Sequence, residues 1–95
     1  MASKVSGNAK KQQTARNAVL KDVATMLASV EQKWSMYNSL HEGYGLLLEE
    51  VDELFDEVRA KQEKRAAWRV RKEALQVAVV GLRIAMMVDM GKVRR

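Results

Sequence analysis

An acidic run in the middle of the chain holds the residues best suited to chemistry. Six carboxylates fall within residues 49–57: Glu49, Glu50, Asp52, Glu53, Asp56 and Glu57. On a helix, residues three or four apart share a face, so Glu50, Glu53 and Glu57 form one narrow stripe. Such a stripe is often only a solvated surface. Because like charges at this spacing repel, it also suits a bound cation such as Mg²⁺, which proteins hold through carboxylates and water.

A second polar pair lies further along, at Glu73 and Gln76. It has the same spacing and begins an otherwise apolar stretch, where an acid and an amide need polar partners once they are buried. Four basic side chains precede it: Arg65, Arg69, Arg71 and Lys72. Carboxylates around a metal, facing such bases, would form a cradle for a polyphosphate.

The two segments LEEVDEL (48–54) and KEALQVA (72–78) resemble the MazG-type all-α nucleotide pyrophosphohydrolases. That family is recognised by an E-x-x-E pair on one helix and an E-x-x-D pair on the next. The likeness covers residues 38–90 and is greatest to small, single-domain, phage-type members. It matches Glu50 and Glu53 to the first pair and Glu73 to the start of the second. The chain departs from the pattern at Gln76, where the family has aspartate.

The resemblance implies a helical homodimer or tetramer that binds Mg²⁺ or Mn²⁺ and cleaves a nucleoside triphosphate into monophosphate and pyrophosphate. The implied catalytic residues are Glu50 and Glu53, and the implied metal ligands are Glu50, Glu53, Glu73 and Gln76. We expect Arg69, Lys72 and His41 to contact the substrate, although a polar residue in a first helical turn is the plainer interpretation of His41. This chemistry needs positioning and charge neutralisation more than a side-chain nucleophile.

Two other functions fit the same residues. An amide at position 76 brings no charge, so the chain could be a degenerate, non-catalytic MazG-like protein that binds nucleotide or a protein partner. It could also be a small basic protein associated with nucleic acid. The charge distribution does not favour nucleic acid, because the net charge of +5 is interrupted by an acidic block at residues 41–62.

Hydrophobic periodicity predicts the helices that must position these residues. A first helix is expected from Thr14 to Tyr37, with an apolar stripe at Val19, Val23, Met26, Leu27, Val30, Trp34 and Tyr37. Core packing is the default for the two aromatic residues, and base stacking is the alternative. Ser39 and Glu42 have the spacing of a capping box, which predicts a second helix from about Leu40. Gly43 and Gly45 in its first turns indicate either close packing or a loose turn.

The second helix carries an apolar arc of Leu47, Val51, Leu54, Phe55 and Val58. We expect a turn within residues 61–67 and a third helix from Trp68 to Met90 that stops at Gly91. A single long helix is the alternative to this turn. Residues 74–88 are apolar nearly all round, which favours burial against a second subunit. The expected fold is therefore all-α, with three helices assembling into an oligomeric bundle.

Length and composition set the remaining bounds. The chain has 95 residues, no cysteine and no proline, which suits one helical domain in a reducing cytoplasm. We expect residues 1–13 to form a disordered basic tail and residues 14–91 to form the domain. The polar start of the chain does not look like a signal peptide. The apolar stretch 74–88 contains Gln76 and Arg83 and is too short and polar for a membrane span, so we expect no membrane partner.

Overall fold

Three helices make up the described part of the molecule. A computed structural model describes residues 8–60 and 66–92, with α1 at Ala9–Lys33, α2 at Leu40–Val58 and α3 at Ala67–Asp89. No strand occurs in these residues. The predicted all-α class with three helices is confirmed. None of these helices combines the length and the apolar character that a crossing of the bilayer requires.

Helix α1 differs from its predicted bounds at both ends. It begins at Ala9, so residues 9–13, which we expected in a disordered tail, are helical. Residues 1–7 of the predicted tail lie outside the described part. The helix ends at Lys33, because Trp34 adopts an extended conformation (φ −131°, ψ 133°). The apolar spacing continues to Tyr37 in the sequence, but Trp34 and Tyr37 belong to the link between α1 and α2.

The start of α2 follows the predicted capping pattern. Ser39 precedes the helix, and its hydroxyl accepts a hydrogen bond from the backbone N–H of Glu42 (3.0 Å). The Glu42 carboxylate accepts in return from the backbone N–H of Asn38, one residue before the position that a capping box usually uses. The expected start near Leu40 is therefore correct.

Helices α2 and α3 are separate, so the alternative of a single long helix is wrong. Helix α2 ends at Val58 and α3 begins at Ala67; most of the predicted turn, residues 61–65, lies outside the described part. At the far end of α3, Gly91 has a left-handed backbone (φ 71°). The N–H groups of Gly91 and Lys92 donate to the carbonyls of Val88 (3.0 Å) and Met87 (2.9 Å). These two bonds form a Schellman cap, as the glycine predicted.

Helix α3 packs against both other helices, which do not pack against each other within the described residues. Between α1 and α3, Val23, Leu75 and Val79 form a core, joined by half-buried α1 residues: Val19, Met26, Leu27 and Val30. Because α1 and α2 both cover α3, its apolar character on several faces does not by itself require a second subunit. Trp34, expected in the core, is 66% exposed, whereas Tyr37 is buried as expected.

Gly43 explains how α2 approaches α3 so closely. A Cβ at this buried position would lie 2.9 Å from Cδ2 of Tyr37 and 3.0 Å from Cγ1 of Ile84. A Cβ at Gly45 would meet nothing within 4 Å. Of the two glycines in these turns, only Gly43 is required for close packing.

The face of α2 directed away from α3 is apolar and exposed. We call it the outer stripe, and it consists of Tyr44, Leu48, Val51 and Phe55, all exposed. Their spacing of four, three and four residues follows the heptad repeat of a coiled-coil seam. In the predicted apolar arc of α2, Leu47 and Leu54 are half-buried, whereas Val51, Phe55 and Val58 are exposed.

Candidate metal centre and adjoining cavity

Helices α2 and α3 bring together three of the predicted ligands. Glu50 and Glu53 lie one turn apart on α2, and Glu73 lies in the second turn of α3. Each offers one carboxylate oxygen, and these three oxygens all lie within 4.8 Å of one another. Glu50 and Glu73 are half-buried, and Glu53 is exposed. Three other acids of the run, Glu49, Asp52 and Asp56, are exposed to solvent.

Two of the three carboxylates, Glu50 and Glu73, have pKa values raised above those of ordinary glutamates. Burial raises the pKa of Glu50, and the negative charges of Glu53, Glu73 and Glu49 raise it further. Burial likewise raises the pKa of Glu73, with an additional contribution from Glu53 that outweighs the opposing effect of Lys72. The cluster therefore holds electrostatic repulsion that a cation would relieve.

Gln76 lies beside the cluster in a role that differs from the predicted one. Oriented so that its nitrogen faces the carboxylates, the amide donates to Oε1 of Glu50 (2.8 Å) and Oε1 of Glu73 (3.2 Å). Gln76 thus bridges two acids as a donor, and its oxygen points away from them. The predicted role as an oxygen ligand would require the amide to turn over.

The donor set suits a divalent cation. Three carboxylate oxygens from two helices are the hard ligands that Mg²⁺ and Mn²⁺ prefer. The exposure of Glu53 leaves one side of the cluster open to water and to a substrate. The residues present therefore fit the metal that the resemblance implies, with Glu50, Glu53 and Glu73 as the ligands.

A cavity of about 610 Å³ adjoins the cluster. Glu50 belongs to both, and Gln76, which donates to two of the carboxylates, also lines the cavity, so the cluster and the cavity are continuous. The cavity extends between α1, the link after α1, α2 and α3. Its lining combines apolar, aromatic and polar side chains: Met26, Val30, Trp34, Ser35, Met36, Tyr37, Asn38, Glu42, Leu46, Glu50, Gln76, Val79, Val80 and Arg83.

Arg83 is a buried cation in the wall of this cavity. It is 3% exposed, and its Nη2 donates to the backbone carbonyls of Trp34 (3.1 Å) and Ser35 (3.0 Å). The guanidinium lies 4.9 Å from the centre of the Tyr37 ring. Its Nε has no hydrogen-bond acceptor, and no carboxylate among the described residues forms an ion pair with it. A buried positive charge held by two carbonyls and by Tyr37, without a carboxylate partner among the described residues, leaves donor capacity for a ligand.

Tyr37 contacts the guanidinium of Arg83. Burial raises the pKa of its hydroxyl, and the positive charge of Arg83 opposes that effect. The charge of Glu50 raises this pKa further, so Tyr37, Arg83 and Glu50 interact electrostatically across the cavity. The phenol therefore stays protonated at neutral pH and can act as a hydrogen-bond donor.

The three residues expected to contact substrate do not line the cavity. Arg69 is exposed, with its guanidinium 5.4 Å from the centre of the Trp68 ring. Lys72 is exposed, and its charge opposes the rise in the pKa of Glu73, so it lies near that carboxylate. His41 is exposed and lines a separate, shallow hollow with Leu40 and Tyr44. Of the three, only Lys72 has an interaction with the cluster.

Sequence reasoning missed the two residues that shape the cavity, Arg83 and Glu42. In the sequence analysis, Arg83 served only as evidence that residues 74–88 do not span a membrane, although a single cation within an apolar helix needs a polar partner once it is buried. Glu42 was predicted only as a capping residue.

A comparison of the chain with models of protein families, with curated proteins and with solved structures found no match.

Proposed function

We propose that the protein is a Mg²⁺-dependent pyrophosphohydrolase of nucleoside triphosphates. One observation carries the proposal: a carboxylate cluster from two helices adjoins a cavity large enough for a small organic ligand, and Glu50 belongs to both. The resemblance to the MazG-type family supports the same reaction. Water hydrolyses the bond between the α- and β-phosphates, and the products are a nucleoside monophosphate and pyrophosphate.

In this proposal each residue has a simple task. A divalent cation at the cluster would neutralise phosphate charge and lower the pKa of a bound water. Glu50, Glu53 and Glu73 would hold the cation from the two helices. Glu53, which is exposed to solvent, would also accept a proton from the attacking water. Lys72, beside Glu73, is placed to attract the anionic phosphates.

The first test is thermal unfolding with and without metal. Mg²⁺ or Mn²⁺ should raise the melting temperature of the parent, because the cation binds the folded state alone. Glu53→Gln should abolish that rise. Asp52→Asn is the matched control, because Asp52 is an exposed neighbour outside the cluster. Equal responses of parent and Glu53→Gln would contradict a metal site here.

The second test is turnover. Pyrophosphate release should be measured over the common nucleoside triphosphates with Mg²⁺ and with Mn²⁺. The parent and Asp52→Asn should hydrolyse at least one of them, and Glu53→Gln should lose activity by about 100-fold, the scale of one acid–base group. Absence of release from every triphosphate by the parent would contradict the enzymatic function.

Gln76 favours one rival function, a MazG-like protein that binds nucleotide without cleaving it. Its amide donates to two of the three carboxylates. Unlike the aspartate of the family pattern, it adds no negative charge that would help the site to bind metal. A melting temperature that rises with metal and nucleotide together, without release of pyrophosphate, would support this second function over the first.

We also propose that two or more copies assemble through the outer stripe. Four exposed apolar residues at heptad spacing along α2 form a seam that a second α2 would cover. The small core of the chain adds to the argument, because few of its described residues are fully buried.

A further inference from the structure

We propose that the cavity binds the nucleoside part of the substrate, and that Arg83 donates a hydrogen bond to a carbonyl oxygen of the base. The class of ligand rests on the proposed function. The selectivity it implies, for uracil, thymine, cytosine and guanine over adenine, rests on the residues of the cavity.

The walls of the cavity suit a flat, partly apolar ring. Met26 and Val30 of α1 and Val79 of α3 supply apolar surface, and Trp34 and Tyr37 supply aromatic surface from the link. Sites for small ligands combine such surfaces with a few fixed polar groups. A nucleobase has two apolar faces and a polar edge, and it matches this lining better than a polyphosphate does.

The polar groups decide which end of a nucleotide enters. Arg83 attracts acceptors, but Glu42 and Glu50 line the same cavity and repel anions. Even with a cation on Glu50, a phosphate in the cavity would meet Glu42, a carboxylate outside the metal cluster. A neutral carbonyl oxygen satisfies Arg83 without this repulsion. The phosphates are better placed at the other end, where Glu50, Glu53 and Glu73 fit a cation.

Arg83 also sets the selectivity. It has only donors, its Nε lacks an acceptor, and it has no carboxylate partner among the described residues. Uracil, thymine, cytosine and guanine each carry a carbonyl oxygen that can accept from it. Adenine carries none; its ring nitrogens N1 and N7 can accept, but each lies beside the amino group, whose N–H would face the other donors of the guanidinium. We expect adenosine to bind about tenfold more weakly than uridine, cytidine or guanosine, the effect of losing one hydrogen bond to a charged group.

The test uses nucleosides without phosphates, in a chelator, so that it does not depend on the metal or on turnover. The chain has two tryptophans, and both are largely exposed, at 66% for Trp34 and 63% for Trp68. Trp34 lines the cavity and Trp68 does not. In Trp68→Phe, saturable quenching of the remaining Trp34 should follow addition of uridine, cytidine or guanosine. In Trp34→Phe, the remaining Trp68 should give no saturable signal.

Arg83→Met removes the donor and keeps the length of the side chain. Made in the Trp68→Phe background, it should bind all four nucleosides with equal affinity, whereas the matched control Arg69→Met, an exposed arginine on the same helix, should keep the tenfold preference. If Arg83→Met fails to fold, Trp34→Ala decides instead. Trp34 is exposed, so the variant should fold, and calorimetry should show affinity for uridine weakened by about tenfold or more.

Two results would overturn the inference: no saturable binding of any nucleoside to the parent, or equal affinity of the parent for adenosine and uridine. Either result could accompany active hydrolysis of triphosphates, which would leave the proposed function intact. Conversely, selective nucleoside binding without pyrophosphate release would contradict the enzymatic function and leave this inference standing.

Discussion

Gln76 illustrates how one uncharged side chain changes an acidic site. Its amide donates to Glu50 and Glu73, whose pKa values are already raised by burial and by neighbouring charge. The amide therefore stabilises the cluster in the absence of metal. An aspartate there would add a fourth carboxylate and remove the donor, which makes the cluster depend more strongly on a cation.

Gln76→Asp should therefore have opposite effects with and without metal. In a chelator at neutral pH, we expect a loss of about 2 kcal/mol or more in the free energy of unfolding, because hydrogen bonds to charged groups are lost. With Mg²⁺ or Mn²⁺, the rise in melting temperature should exceed that of the parent. Urea unfolding and metal titration measure the two effects.

Asn17→Asp is a suitable control for this substitution, since Asn17 is exposed on α1, away from the cluster. It should change neither quantity. Lower stability of Gln76→Asp with an unchanged response to metal would mean that no cation is held beside position 76. In that case, the non-catalytic function would be the better account.

At the scale of the elements, Gly43 and Gly45, which are separated by one residue, have different roles in α2. Gly43→Ala should destabilise the fold by about 1–3 kcal/mol, because the Cβ would press on the Tyr37 ring and on Cγ1 of Ile84. Gly45→Ala should stabilise it by about 0.5–1 kcal/mol, because the site is open and alanine favours the helix. Urea unfolding of both variants checks the pair. Equal effects would contradict the close approach of α2 to α3.

The helices were predictable to the extent that local chemistry sets their ends. Ser39 with Glu42 correctly located the start of α2, and Gly91 correctly located the end of α3. The predicted end of α1 was wrong, because Trp34 and Tyr37 keep helical spacing in the sequence. In the structure Trp34 is extended, and its carbonyl accepts a hydrogen bond from Arg83. That bond joins positions far apart in the sequence, and no local pattern indicates it.

The same distinction holds for the candidate site. Spacing along α2 indicated Glu50, Glu53 and Glu57, and the resemblance to the MazG-type family implied Glu73 as a further ligand. Glu50, Glu53 and Glu73 converge in the structure, whereas Glu57 does not join them. The cavity was not predictable, because it forms where three helices and a link meet. Arg69 and His41 were chosen as substrate contacts by charge and type alone, and both lie on the outside of the described structure.

At the scale of the whole molecule, the outer stripe is the feature that points to assembly. We expect sedimentation at micromolar concentration to show a dimer or larger species. Phe55→Glu should shift the population toward monomer, because it places a charge within the apolar seam. Leu20→Glu is the control, since Leu20 is an exposed apolar residue on α1. A parent protein that sediments as a folded monomer would contradict assembly through α2.

The attachment of α1 to a single neighbour has a consequence for motion. Within the described residues α1 packs on α3 alone, and Val23 is its one buried residue. Detaching it exposes little apolar surface compared with unfolding the whole chain, so α1 should open as a local unit. Its amide hydrogens should then exchange with deuterium faster than those of α3. Because Met26 and Val30 form one wall of the cavity, each opening also releases whatever the cavity holds, and a bound nucleoside should slow exchange throughout α1.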